Sequence, residues 1–227
     1  PIVLTVALAV LLLACVPLER ATRPTSGSRR ERLPAVVWCL LALLTLHQVA
    51  HGPYYAFFSI HLEENGYTSL TVGGMWSLGV AAELVAFVAS PWLHRWLGLR
   101  RLLGLSLLLS PGRWLLLALP LSTGTLIIAQ LGHALTYALA HLAGIQLVQA
   151  NVPVGATRYA QALYSGLGFG LGIVVGTACA GPLYQRVGGG GSFLVAAIFA
   201  AGLFVAWVPL GGRLLQERSP ERDAPAN

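Results

Sequence analysis

The sequence predicts an all-α membrane protein with seven transmembrane helices. Composition is the first reason: of 227 residues, 56% are hydrophobic and 10% are charged, and the mean hydropathy is +0.72. Soluble domains carry about 25% charged residues, so this chain is too apolar to present a water-facing surface on all sides. The second reason is length. Seven apolar runs, 1–18, 34–60, 69–92, 102–119, 125–150, 159–184 and 192–210, each approach or exceed a membrane span. A hydrocarbon core of about 30 Å takes roughly 17–25 helical residues. The third reason is the alternation of arginine between the connections. All fourteen basic residues are Arg. Twelve fall on one face: Arg20, Arg23, Arg29, Arg30 and Arg32 in 19–33, Arg95, Arg100 and Arg101 in 93–101, Arg158, and Arg213, Arg218 and Arg222 after the last run. The other face has Arg186, with Glu63 and Glu64 in 61–68. The positive-inside rule makes the basic face and the C-terminus cytoplasmic.

In chain order, the run 1–18 starts on the outer face, with no initiator Met, no basic leader and no cleavage site, so it is not a signal peptide. It reads as the last helix of an N-terminal half whose earlier helices are missing from this fragment. Residues 19–33, rich in Pro, Ser, Gly and Arg, form a cytoplasmic central linker. A six-helix bundle follows over 34–212, and 213–227 is a polar cytoplasmic tail expected to be disordered.

Polar residues inside the bundle are few and grouped. Glu83 is the acid of the strongly apolar runs, and Arg113 lies within the next run. An ionisable group in hydrocarbon costs roughly 2.5–3.5 kcal/mol on insertion scales, so it usually has a partner and a function. At 1.5 Å per residue, Glu83 lies about 14 Å in from Trp92 and Arg113 about 16 Å in from Leu102, counted from the same face. The matched depth predicts a Glu83–Arg113 pair. Its structural alternative is a contact that only fixes helix packing. The fifth apolar run, 125–150, carries a row, Gln130, His133, Tyr137 and His141, at offsets that fall on one helical face. His133 lies about 13 Å from the outer end of its helix, level with Glu83 and Arg113.

The run 34–60 holds His47 and His51 one turn apart, then Tyr54, Tyr55, Phe57 and Phe58. The histidines read as hydrogen-bonding groups; a haem or metal pair would need a second set, and His133 and His141 do not repeat the spacing. Tyr54, Tyr55 and Phe58 suit either an interfacial aromatic belt or contact with a substrate. Gly168, Gly172 and Gly176 make a small-xxx-small face for helix packing. Cys15, Cys39 and Cys179 stand apart in apolar runs without metal-ligand spacing. No hydrolase triad, metalloprotease signature, phosphate loop or dinucleotide fingerprint occurs, so neither metal nor cofactor is expected. The net charge of +6 sits in short loops rather than on a face, which gives no reason to expect nucleic acid.

Several stretches together, HGPYYAFFSIHLEENGYTSLTVGGMWSLGVAAE (51–83), RW (113–114), QLGHALTYALAHLAG (130–144), QALYSGLG (161–168) and GPLYQ (181–185), carry a resemblance. The chain resembles the 3-phenylpropionate transporter group of the major facilitator superfamily, near the oligosaccharide and nucleoside proton symporters. The resemblance implies that the seven helices correspond to helices six to twelve of a twelve-helix fold in a bacterial inner membrane. Glu83, Arg113 and His133 also look like the carboxylate, Arg and His that the lactose–proton symporter carries on helices eight, nine and ten. This chain departs from that pattern at Thr136, where the symporter has a second carboxylate.

The reading is a non-enzymatic, proton-coupled secondary transporter of a small aromatic acid such as 3-phenylpropionate, working by alternating access. Glu83 and His133 are the expected proton-coupling residues; Arg113, Tyr54, Trp76, Tyr137 and Gln130 are the expected substrate-binding ones. Its partners are membrane lipid, an anionic small molecule, a proton and the missing N-terminal half. The alternatives are a nucleoside or sugar proton symporter and, from another class, a haem-binding membrane redox protein.

Overall fold

The computed structural model describes residues 33–216. The chain divides into two units, Pro1–Glu31 and Arg32–Asn227, and the described residues belong to the second. The expected helix 1–18, nearly all of the expected linker 19–33 and the tail beyond Gln216 lie outside them.

No strand occurs among the described residues. Helices α1 (Ala35–Val49) and α2 (Gly52–Glu64) follow each other through Ala50 and His51, with Pro53 in the first turn of α2, where a missing N–H costs nothing. The chain turns at Asn65 and Gly66, the glycine at φ 84°. Helix α3 (Ser69–Ala118) starts at Thr68, whose hydroxyl accepts the Thr71 N–H at 3.3 Å. Next, α4 (Thr123–His133) opens with a capping box: Ser122 Oγ accepts from Thr125 N, and Thr125 Oγ1 accepts from Ser122 N. A π-helical turn, Ala134–Ala138, leads into α5 (Leu139–Ala150). After a short 3₁₀ turn come α6 (Thr157–Leu163), a π-helical stretch Tyr164–Gly172, and α7 (Ile173–Gln216).

Among the described residues, four helical segments are long and apolar enough to cross a membrane: Ala35–Glu64, Ser69–Ala118, Thr123–Ala150 and Thr157–Gly212. Two of them contain a break. Gly98 (φ 73°, ψ 155°) leaves helical geometry inside α3, and Gly188 (φ 68°, ψ −175°) does so inside α7. Positive φ is open to glycine without a Cβ clash, so each connection is made by one residue. The expected loop 93–101 is therefore not an extended loop; helix continues on both sides of Gly98. The last helix likewise runs to Gln216, past the expected end at 212.

The interior has three layers. One apolar cluster joins Val37, Leu40, Leu41 and Leu44 to Leu102, Leu103, Leu107, Ala138, Leu139, Ala143 and Val148. A second joins Tyr54, Phe58, Leu62, Trp114, Leu117, Leu126 and Phe193. Between them in sequence on three of the spans stand buried polar residues: His47, Gln48 and His51, then Ser110 and Arg113, then Gln130 and His133. The outer surface is apolar, with Leu70 87%, Val88 84% and Trp96 72% exposed, while His51 and Gln130 are 0% exposed. Polar inside and apolar outside inverts the soluble pattern and suits a hydrocarbon solvent. Trp92 and Trp96, exposed beside the Gly98 break, have the placement of an interfacial aromatic pair.

Tyr54 and Phe58 do not form such a belt, because both are buried. Among the glycines, Gly172 and Gly176 carry the close helix approach. A Cβ on Gly172 would meet Thr45 O at 2.8 Å, and one on Gly176 would meet Val49 O at 2.7 Å. Gly168 is also buried, and a Cβ on it would meet the Tyr164 ring of its own helical stretch at 3.9 Å.

Candidate functional site

The buried polar layer is a single cluster drawn from three spans. Glu83, on the first half of α3, meets His133 at the end of α4: Oε1 lies 2.7 Å from Nε2. Glu83 is 19% exposed at its side chain and His133 4%. The expected Glu83–Arg113 pair is not formed. Arg113 Nε donates to the carbonyl of Ala129 at 3.0 Å, and its guanidinium carbon lies 4.5 Å from the Tyr54 ring and 4.3 Å from the Trp114 ring. Depth set two groups at one level, but depth says nothing about direction around the helix. The two aromatic faces and the α4 carbonyl hold the guanidinium on another side. A desolvated cation–π contact contributes about 2 kcal/mol, which offsets part of the cost of burying the charge. Both terminal nitrogens of Arg113 are buried without a hydrogen-bond partner.

Tyr54 is the hub of the remaining contacts. Its hydroxyl donates to Gln130 Oε1 at 3.1 Å, and Gln130 Nε2 donates to Met75 O at 2.9 Å. The Tyr54 ring lies 4.8 Å from Trp76 and 5.1 Å from His133, and Trp76 Nε1 donates to Ser59 Oγ at 3.0 Å. Tyr137 stacks on His133, with centroids 4.9 Å apart and planes at 16°. The seven residues expected for coupling and binding therefore lie together.

His51 belongs at the centre of this cluster, although its sequence suggested only a structural role. Its ring lies 4.8 Å from Trp114, 5.4 Å from Tyr137 and 6.0 Å from His133. The signal was its position one turn before Tyr54 and Tyr55. Hydrogen bonding fixes the tautomers of the neutral rings. His47 Nε2 donates to Thr136 O at 3.0 Å and His51 Nδ1 donates to His47 O at 2.9 Å, because a carbonyl only accepts. Each ring is left with a lone pair, on His47 Nδ1 and His51 Nε2, and neither has a partner. Ser106 Oγ also donates to Thr136 O, at 2.8 Å.

The row along 125–150 does not remain one straight face. The π turn over Ala134–Ala138 changes the helical phase just after His133. Gln130 and His133 face Tyr54 and Glu83, whereas His141 reaches Tyr164, its Nδ1 2.9 Å from the hydroxyl. Among the described residues, no group of three His, Cys, Asp or Glu side chains is placed to hold a metal ion.

Long apolar helices around a buried layer of ionisable and aromatic groups define a polytopic membrane protein with a polar centre. The chain belongs to the MFS_1 like family of major facilitator transporters, which matches residues 26–195. It is 34% identical over 168 residues to the "Probable 3-phenylpropionic acid transporter" of Escherichia coli (strain K12). That match covers 74% of this chain and 44% of the relative, so the chain spans less than half the relative's length. No solved structure matches the chain.

Proposed function

We propose that this chain forms the C-terminal half of a proton-coupled secondary transporter that takes up a small aromatic acid such as 3-phenylpropionate. In this reading seven helices, equivalent to helices six to twelve, work against an N-terminal half by alternating access. The basic face and C-terminus are cytoplasmic, and the membrane is a bacterial inner membrane. The observation that carries the reading is Arg113, a buried guanidinium with two unpartnered nitrogens beside the Glu83–His133 pair.

An Arg at this depth keeps its charge, and its planar fork suits a carboxylate. Tyr54, Trp114, Trp76 and Tyr137 supply the aromatic walls that a phenyl ring needs, and Gln130 orients Tyr54. The substrate carboxylate completes Arg113, while Glu83 and His133 share the transported proton. A nucleoside or sugar would leave the free guanidinium without an anion, so the acid is favoured. The relative's printed name supports the same substrate class.

The test is uptake of radiolabelled 3-phenylpropionate by the full-length transporter in proteoliposomes, driven by an imposed pH gradient. Accumulation should require the gradient and should collapse with a protonophore. Accumulation indifferent to the gradient would sink the coupling, and no uptake of any aromatic acid would sink the substrate.

A further inference from the structure

At the basic end of the spans, a cavity of about 380 Å³ opens where the Gly98 break in α3 meets the ends of α5 and α7. Small-ligand sites run from roughly 300 to 1,000 Å³, so the space is large enough to hold a molecule. Its lining combines four leucines, Leu97, Leu99, Leu147 and Leu214, with the polar side chains of His94, Arg100, Arg101 and Asn151. Arg100 is half-buried and packed against α7. A Cβ on Gly211 would stand 3.3 Å from Arg100 Nε and 3.0 Å from the Trp207 ring, so the missing side chain at Gly211 makes room for the guanidinium. Arg101 and His94 are exposed.

These cations have no acid beside them. Among the described residues the acids are Glu63, Glu64 and Glu83. Glu63 and Glu64 close α2 at the other end of the spans. Glu83 is paired with His133, and the eleven residues from it to His94 rise about 16 Å along the helix. Two planar donor forks therefore line one cavity with no acidic side chain in its wall. Such forks match the oxygens of a phosphate, to which each can donate two parallel hydrogen bonds.

The surroundings select the source of that phosphate. Trp92 and Trp96, just before the Gly98 break, are 54% and 72% exposed, with rings 5.7 Å apart. Exposed indoles on an apolar span belong at headgroup level. One to two turns earlier on α3, Val85 and Val88 are exposed as a hydrocarbon-facing surface. A phospholipid reaches this cavity with its phosphate at the arginines and its chains along that surface; a free anion gains only the first contact. We propose that Arg100 and Arg101, with His94 and Asn151, bind the phosphate of an anionic phospholipid, its glycerol lying against the leucines. The site is separate from the Arg113 centre and needs neither the substrate nor the proton reading.

Native mass spectrometry of the full-length protein, delipidated in detergent and titrated with phosphatidylglycerol or phosphatidylcholine, tests the site. Both lipids carry a phosphate and the same chains, but only phosphatidylglycerol keeps a net negative charge. The parent should bind its first phosphatidylglycerol roughly tenfold more tightly than phosphatidylcholine, and Arg100→Gln/Arg101→Gln should lose roughly thirtyfold in that affinity, at about 1 kcal/mol per arginine. Arg101→Gln alone, at an exposed position on which packing does not depend, should lose roughly fivefold. Arg158→Gln removes a charge of the same face outside the cavity and should keep the parent affinity. A parent indifferent between the two lipids, or an equal loss in Arg158→Gln, would overturn the site in favour of diffuse attraction. Displacement of phosphatidylglycerol by an equal concentration of inorganic phosphate would overturn the lipid as its occupant.

Discussion

Glu83 Oε1 and His133 Nε2 meet at 2.7 Å across two spans, while the guanidinium of Arg113 packs against Tyr54 and Trp114 and makes no ion pair with Glu83. The acid and the base of the site are thus one unit, and the fixed cation is another. In the proposed function, the two unpartnered nitrogens of Arg113 are what the substrate carboxylate would meet.

If the pair handles the proton as a unit, its two members are not independent. Glu83→Gln and His133→Gln should each lower pH-driven uptake on the order of a hundredfold while sparing exchange, and the double variant should be within a few-fold of either single. Losses that multiply in the double variant would separate the two residues.

Arg113→Lys keeps the charge and loses the fork. Charge-assisted hydrogen bonds contribute about 1.5–3 kcal/mol, so binding of 3-phenylpropionate should weaken roughly tenfold to a hundredfold with expression unchanged. Equal affinity of the unmutated transporter for the acid and its uncharged amide, measured by competition, would remove the carboxylate contact.

Gly176 has no room for a side chain, since a Cβ would sit 2.7 Å from Val49 O and 3.0 Å from Val49 Cα. Gly176→Ala should destabilise by about 1–3 kcal/mol, read as a lower midpoint of thermal unfolding in detergent. Gly202→Ala, where nothing lies within 4 Å, should be neutral or slightly stabilising. Equal midpoints for the two variants would remove the close approach from the packing argument.

Orientation is checked by impermeant thiol labelling of intact cells, with Cys15, Cys39 and Cys179 replaced. Glu63→Cys, exposed at the end of α2, should label, and Arg158→Cys should be protected. Gly190 is a poor reporter, since a Cβ there would meet Ala118 O at 3.0 Å. The reverse labelling pattern would invert the topology.

Much of this protein was written in its order of residues. Hydrocarbon penalises every unpaired polar group, so the few polar residues within apolar runs had to converge on the interior, and Glu83, Arg113, Gln130, His133 and Tyr137 did. Local chemistry that the sequence analysis passed over is also at work: a Ser122–Thr125 capping box starts α4, and glycines stand at the two breaks. Partner choice was not legible. Helical rise gives depth along the membrane normal, but direction around each axis depends on how the helices rotate against one another. The π turn after His133 shifts that phase within a single span, sending His141 to Tyr164. Only the packed structure, with Gly172 and Gly176 drawing two spans together and aromatic faces holding Arg113, decided that Glu83 pairs with His133.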